Sequence, residues 1–181
     1  MIDLGLPSGT KWACCNVGAS MPEAYGDYYS WGETSPKSVY NWDTYKYGYY
    51  NYDGDYSHIV DIGSDIAGTG YDAATVNWGS PWHMPTLAQR DELRHYCILL
   101  CTTYNDVAGV QFVGTNDCTI FLPATGWRGD SATYDLGIGG LYWLSTGWDH
   151  NHAPTLELLC DAEIDPVDAY CADGLSVRPV R

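Results

Sequence analysis

Between Asp149 and Ala172 the chain follows no period that a helix or a regular strand would choose. An Asp/His cluster at Asp149, His150 and His152 is followed by Pro154, Cys160, Pro166 and Cys171, with small apolar residues scattered among them. This stretch is held between two segments that read as strands, 141–146 (LYWLST) and 175–180 (LSVRPV). Irregular backbone clamped between ordered strands reads as a display surface on a scaffold, an arrangement that binding residues favour. The sequence therefore reads as a binder.

At 181 residues the chain is expected to form one domain, 1–181, large enough to bury a core. Its 8 Lys+Arg against 23 Asp+Glu give a formal net charge of −15, which repels phosphate backbones and anionic membranes and argues against a nucleic-acid partner. With 8 Trp and 16 Tyr the chain carries more aromatic surface than disordered sequences do. Only 17% of residues are charged, so Tyr, Asn, Ser, Thr and Gly must build much of the solvent face, as they do in paratopes. No apolar run is long enough to span a bilayer, direct membrane insertion is not expected, and no export signal opens the sequence. Seven scattered cysteines read as free and mostly buried thiols, with Cys97 and Cys101 four apart on a predicted helix.

Residues 9–19 predict a strand and turn, 22–36 a short strand between turns, and 40–70 a long Tyr/Gly/Asp/Asn-rich insertion loop packed by its own aromatics. A short helix is expected at 72–76, stopping near Gly79. The strongest helix follows Thr86, where Thr-x-x-Gln to Gln89 forms a capping box and Leu87, Leu93, Cys97, Leu100 and Cys101 approximate an apolar stripe. A hairpin is expected from Val110–Val113 to Thr119–Leu122, with later strands at 141–146, 155–160 and 175–180. One strong helix, one short one and many short strands make an α+β domain.

Several strings carry a resemblance: DLGLPSGTKWACCNVGA (3–19), GDYYSWGET (26–34), DAATVNWGSPWHMPT (72–86), IFLPATGWR (120–128), LYWLST (141–146) and LSVRPVR (175–181). Nearly end to end, they resemble the Fibrobacter succinogenes major paralogous domain found in secreted proteins of Bacteroides and Fibrobacter relatives. The resemblance implies a C-type-lectin-type fold related to that of the formylglycine-generating enzyme. Some members look like variable proteins of diversity-generating retroelements, in which template adenines of the C-terminal ligand-binding segment are replaced at random. Asn codons then become any NNY codon, which excludes Lys, Gln, Glu, Met and Trp. Residues 149–172 contain Glu157 and Glu163 alone of those types. The cysteines and alanines there read as products of such substitution.

The expected variable face, within 144–172, comprises Leu144, Trp148, Asp149, His150, His152, Pro154, Thr155, Leu159, Cys160, Ala162, Ile164, Val167, Ala169, Tyr170, Cys171 and Ala172. Trp148, Tyr170 and Tyr134 are the aromatic anchors beside it, whereas Trp12, Trp31, Trp42, Trp78, Trp82, Trp127 and Trp143 read as core and buttress. His150 and His152 lack a third metal ligand at suitable spacing and read as surface histidines; His83 reads as structural. The acids of 51–55 fall short of an EF-hand loop, and the sugar-coordinating motifs of calcium-dependent lectins are missing. No resident cofactor is expected, with a structural calcium left open.

The leading expectation is a retroelement-diversified display protein, not an enzyme, that binds a protein or glycan at the cell surface or outside the cell, or at a phage tail tip. The rivals are a non-diversified glycan-binding or adhesin module, and an oxidoreductase relative using Cys160 and Cys171 as a redox pair.

Overall fold

The computed structural model describes residues 1–49, 58–147, 151–158 and 167–181. Along it run β1 (Ile2–Asp3), β2 (Lys11–Trp12), β3 (Gly48–Tyr49), β4 (His58–Ile59), α1 (Ala73–Trp78), α2 (Leu87–Tyr96), β5 (Ile98–Tyr104), β6 (Val107–Val113), β7 (Thr119–Pro123), β8 (Trp127–Gly129), β9 (Ala132–Tyr134), β10 (Gly140–Trp143), β11 (His152–Leu158) and β12 (Asp168–Tyr170). These strands pair with one another antiparallel: β5–β6–β7 and β10–β11–β12 form three-stranded sheets, and β1–β2, β3–β4 and β8–β9 form pairs. The architecture is α+β. Among the described residues no helix is long and apolar enough to cross a membrane.

Local chemistry sets the helix starts. Asp72 caps α1 by accepting from the backbone N–H groups of Ala74 and Thr75, and Gly79 at φ 80° ends it. Thr86 and Gln89 close the predicted capping box on α2: Thr86 Oγ1 accepts from Gln89 N at 3.2 Å and Gln89 Oε1 from Thr86 N at 2.9 Å. The end of α2 differs from the prediction. Cys97 is already extended (φ −103°, ψ 149°), and Leu100 and Cys101 lie on β5. There Ile98–Tyr104 pairs with Val107–Val113 through Asn105 and Asp106, both at positive φ, in a two-residue turn that suits a tight hairpin. Cys101 is disulfide-bonded, which corrects the expectation of a free thiol.

Two apolar clusters share the β10–β11 sheet. Side chains alternate across a strand, so Trp143 joins one cluster with Trp31, Ala153, Ala169 and Val177, while Tyr142 and Leu144 join the other with Leu93, Phe112, Leu122 and Leu156. Both faces of that sheet are therefore core. The predicted 40–70 insertion contributes to the core as well: in its described part Tyr40, Tyr45, Ile62 and Ile66 are buried.

The final residues run through the middle of the molecule. Instead of one regular ladder, 175–181 bonds in turn to several remote segments: Leu175 exchanges backbone bonds with Tyr29, Val177 accepts from Val17, Ser176 from Trp143, Val180 exchanges with His83, and Arg181 exchanges with Lys11. This places the two ends of the described chain side by side. The Nδ1 of His83 also lies 2.8 Å from the Met84 carbonyl.

Candidate functional site

The β10–β11–β12 sheet shows which residues of the expected face can reach a ligand. In β11 the flanking residues His152 and Glu157 are half-buried, but Ala153, Pro154, Thr155, Leu156 and Leu158 are buried. In β12 the pattern alternates, with Asp168 and Tyr170 outward and Ala169 inward. Of the described candidates, His152, Val167 and Tyr170 retain accessible surface.

Leu144, Pro154, Thr155, Ala169, Cys171 and Ala172 are corrections: they are buried and cannot serve as contact residues. Leu144 offers its carbonyl to Trp31 Nε1 at 2.9 Å. Thr155 clamps the Val167 carbonyl through its hydroxyl at 2.7 Å and its backbone N–H at 3.1 Å. Cys171 and Ala172 give their carbonyls to Trp31 N and Ser30 Oγ. Ala169, Cys171 and Ala172, read from the sequence as randomised surface, pack in the core cluster with Trp143. Trp148, Asp149, His150, Leu159, Cys160, Ala162 and Ile164 lie outside the described residues.

What the strand carries outward is aromatic. Tyr170 is 52% exposed and meets the ring of His152, its cross-strand partner, at 4.5 Å. Trp42 also packs edge-on against Tyr170 at 6.2 Å, and the contacts continue through Tyr45 (5.6 Å), Tyr47 (6.0 Å) and Tyr71 (5.4 Å). Edge-to-face contacts are a preferred geometry for aromatic pairs; within this run Tyr45 is buried, while Tyr71 and Tyr170 are exposed. The loop that presents Trp42 is itself fixed. Lys37 Nζ bonds Glu33 at 2.9 Å and the Thr44 carbonyl at 3.1 Å, Tyr40 Oη donates to the Tyr28 carbonyl at 2.6 Å, and Tyr45 Oη to the Trp31 carbonyl at 2.9 Å.

Gly174 packs against Tyr40, where a Cβ would lie 2.6 Å from the ring. Trp42, read from the sequence as core and buttress, packs against the core cluster and also meets Tyr170; Tyr47 and Tyr71 were not anticipated. The Tyr-rich composition of 40–47 was the available signal, but it could not show that these rings approach Tyr170.

Asp173 lies at the edge of the band. Burial pushes its carboxyl up to about 7, and Asp130 adds to the rise, while the backbone bond at Tyr170 and the neighbouring His152 oppose it. The neutral carboxyl is thus favoured in the folded state, so the contribution of Asp173 to stability is fully present below the ordinary value of 3.8 and is lost as pH rises through about 7. Thermal melts of the unsubstituted protein should show such a decline, about 1–3 kcal/mol after allowance for partial exposure. Asp173→Asn should lack that component. Equal pH slopes in the two proteins would refute the assignment.

A second aromatic place lies on the β8–β9 hairpin. Trp127 stacks on Tyr134 at 4.6 Å and donates through Nε1 to Asp135 at 3.2 Å. Trp127 and Asp135 border a cavity of about 360 Å³ that also meets Leu141 and Glu157. From sequence, Tyr134 was named as an aromatic anchor and Trp127 as core and buttress.

No family model, curated protein or solved structure matches this chain. The chemistry of the site is therefore read from its residues alone. Among the described residues no group of three His, Cys, Asp or Glu side chains is placed to hold a metal. The acids of 51–55, considered for calcium, lie outside the described residues. Cys171, the described half of the expected redox pair, is 1% exposed and interacts with the Tyr45 hydroxyl. Its sulfur is enclosed by core rather than presented to a substrate.

Proposed function

We propose that the chain is a ligand-binding display protein of C-type-lectin-type architecture, engaging a protein or glycan through the Tyr170–Trp42 aromatic band. The observation that carries this reading is an exposed tyrosine on an edge strand, in ring contact with both His152 and Trp42. Rigid amphipathic rings supply contact area at low entropic cost, as they do in paratopes. The neighbouring chain ends, the small antiparallel sheets and the two helices accord with the proposed architecture.

The Cys101 disulfide accords with an oxidising compartment, hence with a site at the cell surface or outside the cell. Retroelement diversification, implied by the sequence resemblance, would fall on outward side chains such as His152, Asp168 and Tyr170. No catalytic step and no cofactor is required at this face.

Glycan and protein arrays probed with the unsubstituted protein and with Tyr170→Ala test the proposal. Because Tyr170 is 52% exposed, its loss should change stability by no more than about 0.5 kcal/mol. Binding of array ligands should weaken by about 2 kcal/mol or more, as for an aromatic anchor. Ligands that bind both proteins equally would place the contact surface elsewhere.

A further inference from the structure

Away from the aromatic band, the segment after β2 carries a second chemically distinctive group. Cys14 and Cys15 are adjacent in the chain, and their sulfurs are 3.8 Å apart, with the Cys14 S–H donating to Cys15. Cys14 is exposed and Cys15 buried, and both are free. Cys14 also lines a cavity of about 260 Å³ walled by Ile2, Pro22, Tyr104 and Phe121.

Next to the pair is Arg178, which is 0% exposed. Its Nε donates to Asn16 Oδ1 at 2.8 Å and its Nη1 to the Ala13 carbonyl at 3.3 Å, while Nη2 has no partner. Among the described residues no carboxylate pairs with it, and the charges that act on it in its favour come from Tyr142, Cys15 and Cys14. A buried guanidinium without an anion is unfavourable, and its unpartnered Nη2 marks the neighbourhood of the pair as polar.

The sulfur spacing suits a metal better than a disulfide. Two sulfurs each about 2.3 Å from a tetrahedral d10 ion stand about 3.8 Å apart, whereas a disulfide requires closure to about 2.05 Å. We infer that Cys14 and Cys15 form a dithiolate site for a thiophilic d10 cation, whose remaining ligands are exogenous and occupy the adjoining cavity. On binding, each thiol releases its proton to solvent, two sulfur–metal bonds replace two metal–water bonds, and no oxidation state changes.

Cd2+ alone is a suitable probe, added without oxygen to the full chain with the Cys101 disulfide intact and followed by thiolate-to-metal ultraviolet absorption and equilibrium dialysis. One equivalent should bind. Cys14→Ser and Cys15→Ser should each weaken it beyond the roughly 10–100-fold that loss of an outer hydrogen-bond partner costs, and Cys118→Ser should leave it unchanged. Should either serine variant fail to fold, alkylation of Cys14 in the unsubstituted protein decides the matter. Bound Cd2+ should protect Cys14 from a maleimide and leave Cys118, which is also exposed, reactive. Absence of stoichiometric binding, binding that survives both serine substitutions, or unprotected Cys14 would overturn the inference.

Discussion

Asp72→Ala should destabilise the protein by about 4 kcal/mol or more, measured as a lowered urea midpoint without a change in slope. Asp72 is fully buried, and its carboxylate accepts four backbone bonds from three stretches of chain. Oδ1 takes Ala74 N at 2.8 Å and Thr75 N at 3.1 Å, and Oδ2 takes Gly68 N at 2.9 Å and Met84 N at 2.9 Å. An ordinary helix cap is worth about 1 kcal/mol. Alanine here would also leave buried donors near Gly68 and Met84 unpaired, at about 1–3 kcal/mol each, though not additively. Asn should fall between the two, since it keeps one acceptor and sets an amide N–H against donors. A loss confined to about 1 kcal/mol for Asp72→Ala would show that the carboxylate acts only as a cap.

Trp143→Ala should cost about 3–5 kcal/mol, and its consequence should extend to the proposed binding face. Trp143 is fully buried, donates from Nε1 to the Tyr29 carbonyl at 2.6 Å, and packs in the cluster that includes Ala153, Ala169 and Cys171. Those residues are the floor beneath His152 and Tyr170, so a cavity there should loosen β12 before it loosens β5–β6–β7, which rests on the other cluster. Hydrogen exchange of Trp143→Ala should therefore rise at Ala169 and Tyr170 more than at Val110 or Phe112. Uniform acceleration across both sheets would contradict this division of the core.

Features set by local chemistry were legible in the sequence. The Thr86–Gln89 box, the Asp72–Gly79 helix and the Val110–Leu122 hairpin depend on contacts a few residues apart. The end of α2 was misread because Cys97, Leu100 and Cys101 fit a helical stripe, and only pairing with Val107–Val113 makes 98–104 a strand. The C-terminal segment was recognised as ordered, but its partners at 11–17, 29, 83 and 143 are remote in sequence and carry no periodic signal.

The candidate face was partly legible. Tyr170 and His152 were named, while Ala169, Cys171 and Ala172 looked like surface because small residues carry little evidence of which way they point. Trp42 approaches Tyr170 only through the fold, a contact that no spacing encodes.

Deep sequencing of the coding segment for residues 141–181 across its source population, with the adjoining DNA, tests the proposed diversified display most directly. The expected result is variation at adenine positions of a nearby near-identical repeat, reaching the codons of His152, Asp168 and Tyr170 and sparing Ala153, Leu156, Ala169 and Val177. An invariant segment without a repeat, or variation spread equally over buried and outward positions, would contradict it.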